Sequence, residues 1–283
     1  MDYIRLMRPK QWIKNIFLFA GAFFSKTILK PDILLKTVLA FVLFCVISSA
    51  VYVINDVVDA ERDRMHPDKK NRPIAAGKIS KKNAVCVGVF MMLAGLISSY
   101  FLGVGFMALA ILYVVNSVLY TFILKNVVII DVLSVAANFI LRTGAGAAAA
   151  GVEMSSWLFL CTLQLSLLLV FSKRRCELIM LRDDATEHRK SLKNYTVEFI
   201  DHMISFSMAT AIIFYSLYTF MERPKITMVT IIFVIYGILR YQYLIYVKKL
   251  NAPLEQIITK DIPLIIDIAL WVISSAVILI FIG

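Results

Sequence analysis

An all-α, polytopic membrane protein, a bundle of nine transmembrane helices with its active-site loops on the cytoplasmic side, is predicted by three observations. First, 60% of the 283 residues are hydrophobic and the mean hydropathy is +0.80, more apolar surface than a soluble domain of this length can bury. Second, the apolar residues fall into nine runs, each near the roughly 20 residues that cross a hydrocarbon core of about 30 Å. Third, the basic residues are sorted by side, as membrane topology requires.

The runs lie at 12–29, 36–54, 83–102, 104–124, 127–150, 154–172, 203–221, 226–247 and 262–282, within one domain spanning 1–283. Arg8, Lys10 and Lys14 precede the first, which lacks a small-residue cleavage site and outlasts a signal-peptide core, so it is expected to be retained. The second runs into Asn55-Asp56-Val57-Val58-Asp59-Ala60-Glu61-Arg62-Asp63, where the helix should continue past Asp63 and break near His66-Pro67. Arg72-Pro73-Ile74-Ala75-Ala76-Gly77 reads as an extended turn, and Ser80 as the cap of the third span. The run Gly144 to Gly151 suits close helix packing or, less readily, a backbone-lined groove for a lipid chain. Cys45, Cys86, Cys161 and Cys176 have no metal or redox spacing and read as packing residues.

A net charge of +11 does not point to nucleic acid, because the bases form no stripe. With the N-terminus cytoplasmic, 24 Lys and Arg fall on that face and 5 on the other. The two long polar loops, 55–82 and 173–202, share the cytoplasmic face and stand four spans apart, which suggests two four-helix halves plus one extra helix.

The first loop carries the sharper chemistry. Asp56, Asp59 and Asp63 are spaced by three and four, so they fall on one helical face and can share a divalent cation. Magnesium favours a few carboxylates completed by substrate phosphate and water, and Lys69, Lys70, Arg72 and Lys78 stand close enough in sequence to meet an anion. The bland alternative is a solvated helix end paired with its neighbouring bases. The second loop opens Lys173-Arg174-Arg175-Cys176-Glu177 and runs on through Arg189 to Tyr195, donors plus one carboxylate that suit a ligand with several phosphates and hydroxyls. Lys125 and Asp131 flank the start of the fifth span, and Arg142 lies about 16 Å further along that helix, deep enough to need the bundle interior, near Asn138.

Nine spans with NDxxDxxxD after the second resemble the UbiA superfamily of intramembrane prenyltransferases. The acidic motif that family carries after its sixth span is replaced here by Lys173-Arg174-Arg175-Cys176-Glu177, with Asp183 and Glu187 the nearest acidic alternative. In that departure the chain is similar to the decaprenyl-phosphate phosphoribosyltransferase branch. The likeness rests on Arg8 to Asn15, Asn55 to Gly77, Tyr120 to Asp131, KRRCE with HRKSLKNYT, Arg240-Tyr241 and Pro253-Leu254-Glu255. It implies phosphoribosyl diphosphate as donor, a polyprenyl phosphate as acceptor and magnesium as cofactor. Asp56, Asp59 and Asp63 would be metal ligands and, with Glu177, catalytic. Lys14, Asn55, Arg72, Lys125, Lys173, Arg174, Arg189 and Tyr195 would bind substrate. Competing readings are a UbiA-type enzyme moving an allylic prenyl group, and a membrane transporter or lipid-binding protein without enzymatic activity.

Overall fold

The computed structural model describes residues 2–65, 69–181, 190–221, 224–252 and 254–281, and every regular element among them is helical. In chain order the α-helices are α1 (Asp2–Leu6), α2 (Phe19–Phe24), α3 (Pro31–Met65), α4 (Lys81–Ser99), α5 (Val104–Phe122), α6 (Ile130–Ala150), α7 (Ser156–Leu181), α8 (Val197–Met221), α9 (Ile231–Gln242), α10 (Leu254–Ile258) and α11 (Ile262–Phe281). The chain forms two compact units, residues 1–154 and 155–283. Among the described residues eight helical stretches are long and apolar enough to cross a membrane, four in each unit. Their outer faces present Phe90, Ile97, Phe101 and Phe281 without cover, which fits lipid rather than water as the surrounding medium.

In unit 1, α3 packs along α4, α5 along α6, and α6 also meets α2 and α3. Leu18, Phe44, Ile47, Phe106 and Tyr113 fill the core. At 35 residues α3 is about 52 Å long. It crosses the hydrocarbon core with length to spare, and that surplus carries the acidic motif. The helix does run past Asp63, to Met65, while His66 and Pro67 lie outside the described residues. Ser80 caps α4 as expected, its Oγ accepting from Asn83 N at 3.2 Å.

The expected span 12–29 is not one helix. It is a 3-10 helix over Pro9–Leu18, then α2, then a 3-10 turn over Thr27–Leu29, with left-handed backbone at Arg8 and Lys26 on either side of the first two. Long-range packing explains the break. A Cβ on Gly146 of α6 would strike the Leu18 carbonyl, and one on Gly21 would come within 2.8 Å of Ala147 Cβ, so this segment lies backbone against backbone on α6. Asn15 is buried there, donating to Cys45 Sγ and Ser48 Oγ at 3.2 Å each and accepting from Arg142 Nε at 2.9 Å.

In unit 2, α7 packs along α8, and α9 along α11. The 3-10 turn Lys225–Thr230 leads into α9, which leaves through a π-helical turn at Tyr243–Val247.

Candidate functional site

The acidic face of α3 is assembled as the spacing predicts, and the structure adds its partners. Asp56 and Asp63 are buried, 2% and 4% exposed, and Arg72 bridges them, Nη1 donating to Asp56 Oδ1 at 3.1 Å and to Asp63 Oδ2 at 2.5 Å. Arg8 forms a further ion pair with Asp56, its guanidinium 5.2 Å from the Tyr52 ring centroid. Asp59 turns to a different base, accepting from Lys125 Nζ at 2.7 Å. This pair lines a recess of about 210 Å³ with Thr121, Asn126 and Arg62. Thr121 Oγ1 lies 3.3 Å from Asn55 Oδ1, with the Ser117 carbonyl a nearer acceptor for its proton at 2.9 Å.

Local packing holds this end of unit 1 in place. Leu6, Val53, Ala60, Ile74, Ile79 and Ala84 form a small apolar cluster that fastens α1 and the turn after Arg72 to α3 and α4. Ser49 Oγ donates to the Met7 carbonyl at 2.9 Å, next to Arg8, whose left-handed backbone (φ 53°) directs the chain from α1 into the following 3-10 helix.

Three carboxylates therefore face three bases, and among the described residues no three Asp, Glu, His or Cys side chains converge closely enough to hold a metal by themselves. In kind the donors suit a hard divalent cation: all are carboxylate oxygens on one helical face, already drawing positive charge to themselves. Lys14 is half-buried in the 3-10 helix Pro9–Leu18.

Unit 2 holds the basic motif at the end of α7. Arg174 is buried and donates through Nη1 to Glu177 Oε2 at 2.7 Å, while Lys173 is exposed. Arg175 Nε donates to Asp201 Oδ1 of α8 at 2.7 Å and its guanidinium stands 5.4 Å from the Tyr246 ring centroid. Tyr195 is buried and stacked on Phe199, ring centroids 5.9 Å apart. Arg189 lies outside the described residues, as do Asp183 and Glu187.

Sequence reasoning missed three members of these arrangements. Arg8 stands in the Arg8-Pro9-Lys10-Gln11-Trp12 run and passed for an orientation charge. Thr121 has no signal beyond its place four residues before Lys125. Asp201 falls at the end of the polar loop 173–202, just before the expected seventh span, and nothing near it in sequence names Arg175.

The chain has relatives among known proteins. The chain is 32% identical over 221 residues to the decaprenyl-phosphate phosphoribosyltransferase of Mycolicibacterium smegmatis, covering 77% of this chain and 70% of the relative. It is 34% identical over 222 residues to the protein of the same name from Corynebacterium glutamicum, covering 77% and 67%. Its fold matches that of a UbiA homolog from Archaeoglobus fulgidus bound to GPP and Mg2+, at a TM-score of 0.79 and 20% identity, over 97% of this chain and 98% of the other. The UbiA prenyltransferase family matches residues 15–257, a stretch that takes in both the acidic end of α3 and the basic end of α7, and the chain belongs to that family.

Proposed function

We propose that the protein transfers 5-phosphoribose from phosphoribosyl diphosphate to a polyprenyl phosphate of the decaprenyl-phosphate type, giving polyprenyl-phosphoryl 5-phosphoribose and diphosphate. The observation that carries this reading is the identity of 32% and 34%, over 77% of the chain, with relatives named for that transfer. The basic run Lys173-Arg174-Arg175 in place of a second acidic motif supports it, because a donor rich in phosphates calls for more cationic contacts than a prenyl diphosphate does.

Asp56, Asp59 and Asp63 would hold magnesium, which when bound supplies the charge that neutralises a diphosphate leaving group. Asn55, beside Thr121, orients the first of them. Lys14, Arg72, Lys125, Lys173, Arg174 and Arg189 take phosphate groups. Arg174 is paired through Nη1 with Glu177, and it is assigned to a phosphate on its place in the basic run. Glu177 and Tyr195 address the ribose or hold the bases that do. The acceptor phosphate is already anionic, so the protein must position it rather than deprotonate it. We place the protein in a bacterial-type cytoplasmic membrane with its N-terminus and both charged loops inside, on the strength of the 24-to-5 split of bases.

The test is transfer itself: purified protein, magnesium, radiolabelled phosphoribosyl diphosphate and a polyprenyl phosphate, with label sought in the organic phase. Lipid-linked label that disappears in Asp59→Asn is the expected result. Turnover of an allylic prenyl diphosphate with no ribosyl transfer would assign the chain to the ordinary prenyltransferases, and inactivity with both donors would favour binding or transport.

A further inference from the structure

The position from which both Asp56 and Asp63 can be contacted is held by a guanidinium. Arg72 Nη1 lies 3.1 Å from one carboxylate and 2.5 Å from the other, and Arg8 pairs with Asp56 as well. Two buried negative charges and two adjacent positive ones sum to zero. A dication added to this set with nothing moved would leave buried charge uncompensated, and a guanidinium released from it without a new partner would do the same. Metal binding here is therefore tied to the fate of an arginine.

Which arginine moves follows from how each is held. Arg8 lies over the Tyr52 ring, and its backbone is pinned between buried Leu6 and the Met7 carbonyl bond to Ser49. Arg72 has a fixed backbone, with Ala76 N donating to its carbonyl at 2.8 Å and Ile74 buried behind it. Its side chain is about as exposed as that of Arg8, 25% against 20%, and is long enough to swing outward without unfolding the turn.

Building on the reading that Asp56 and Asp63 hold a metal, we propose that Arg72 is their internal counter-cation. It yields its place to a divalent cation only as its guanidinium passes to the diphosphate that arrives with that cation. Arg72, contacting the anion itself, then makes metal and anion bind as a pair. By linkage, whatever factor the anion adds to metal affinity, the metal adds to anion affinity.

The probe is Mn2+, titrated into the full chain in detergent with and without inorganic diphosphate. Free Mn2+ is counted by electron paramagnetic resonance and corrected for Mn2+–diphosphate in protein-free buffer. In the unmodified protein, diphosphate should tighten Mn2+ binding by about tenfold or more, within the usual range of coupling between sites. Arg72→Gln should bind Mn2+ alone about tenfold more tightly and lose most of the diphosphate effect, whereas Arg72→Lys, with a cation restored, should return toward the unmodified protein. A merely structural arginine predicts the opposite, weaker binding in Arg72→Gln. Unmodified protein indifferent to diphosphate overturns the proposal with no variant needed, and so does Arg72→Gln that binds no more tightly. If Asp56→Asn keeps full Mn2+ binding, the metal reading itself falls; if it loses binding while Arg72→Gln is unchanged, only the counter-cation role falls.

Discussion

In unit 1 the charged end of α3 carries carboxylates and other segments bring bases to them; in unit 2 the charged end of α7 carries bases, one paired with Glu177 of the same helix and one with Asp201 of α8. The partners also differ in origin. Arg8 and Lys125 stand 48 and 66 residues from the carboxylates they meet, while Glu177 is three residues from Arg174 and Asp201 is 26 from Arg175. Arg72, the base proposed to give way to a metal, is nearer, 16 residues from Asp56 and 9 from Asp63, but it too stands outside α3, whereas Glu177 lies on α7 itself. On the proposed reading, the first arrangement serves a cation and the second serves phosphates.

Paired variants put the largest strain on this comparison. Asp59→Asn removes a group proposed to act on the leaving group and should lower kcat by about 10³-fold, the scale of losing one preorganised electrostatic contact to the transition state. Arg174→Gln should cost about 100-fold in kcat/KM, mostly as a higher KM for phosphoribosyl diphosphate, because a phosphate contact made before reaction is uniform binding. Steady-state kinetics on both separates the two effects. If both variants fall in kcat alone, the division of labour between the helix ends is wrong.

A second contrast lies deeper in each unit. Arg142 donates to Asn15 Oδ1 and Tyr113 Oη, each at 2.9 Å, and to the Asn138 carbonyl at 3.3 Å, with its guanidinium 4.7 Å from the Tyr113 ring centroid. It ties the broken N-terminal segment to α5 and α6. In unit 2 a smaller knot joins Tyr241 Oη to Ser172 Oγ at 2.5 Å, and Ser172 Oγ to Leu254 N at 3.1 Å. Arg142→Met strands several buried polar groups and should cost about 2–3 kcal/mol, whereas Tyr241→Phe removes one bond and should cost about 1 kcal/mol. Thermal unfolding in detergent ranks them. Equal losses would mean that the N-terminal segment holds to unit 1 without Arg142.

What the sequence made legible and what it hid divide along the same line. Features written within about ten residues were readable: the apolar runs, the carboxylate face at 56, 59 and 63, the Ser80 cap, and Arg142 in the interior beside Asn138. Features decided by residues far apart were not. Nothing near Asp59 says that Lys125 will reach it, nothing near Asp56 names Arg8, and span 12–29 looks continuous until Gly146 brings α6 against Leu18. Hydropathy reports where a segment is buried and not the shape of the surface it lies on, so the broken first span was beyond it.

The smallest effect distinguishes a charge pair that serves stability from those proposed to serve chemistry. Arg240 grips Asp261 with both oxygens, Nε to Oδ1 at 3.1 Å and Nη2 to Oδ2 at 2.9 Å, and Asp261 Oδ1 also accepts from Leu264 N at 3.1 Å, capping α11. The bond from Arg240 holds the Asp261 carboxyl below its ordinary value, more than offsetting its partial burial. A carboxyl depressed in the folded protein stabilises fully above the unfolded value of about 3.9 and loses that contribution as pH falls through the lower folded value, so this pair is silent from pH 5 to 8. Asp261→Asn keeps a capping oxygen but loses the charge. It should lower Tm by about 2 °C or less, and only at pH values where Asp261 is ionised. Ribosyl transfer should stay within about twofold of the unmodified protein. An Asp261→Asn variant that lost transfer as completely as Asp59→Asn would show that ion pairing alone does not mark which helix end carries the chemistry, and that the loop before α11 belongs to the site.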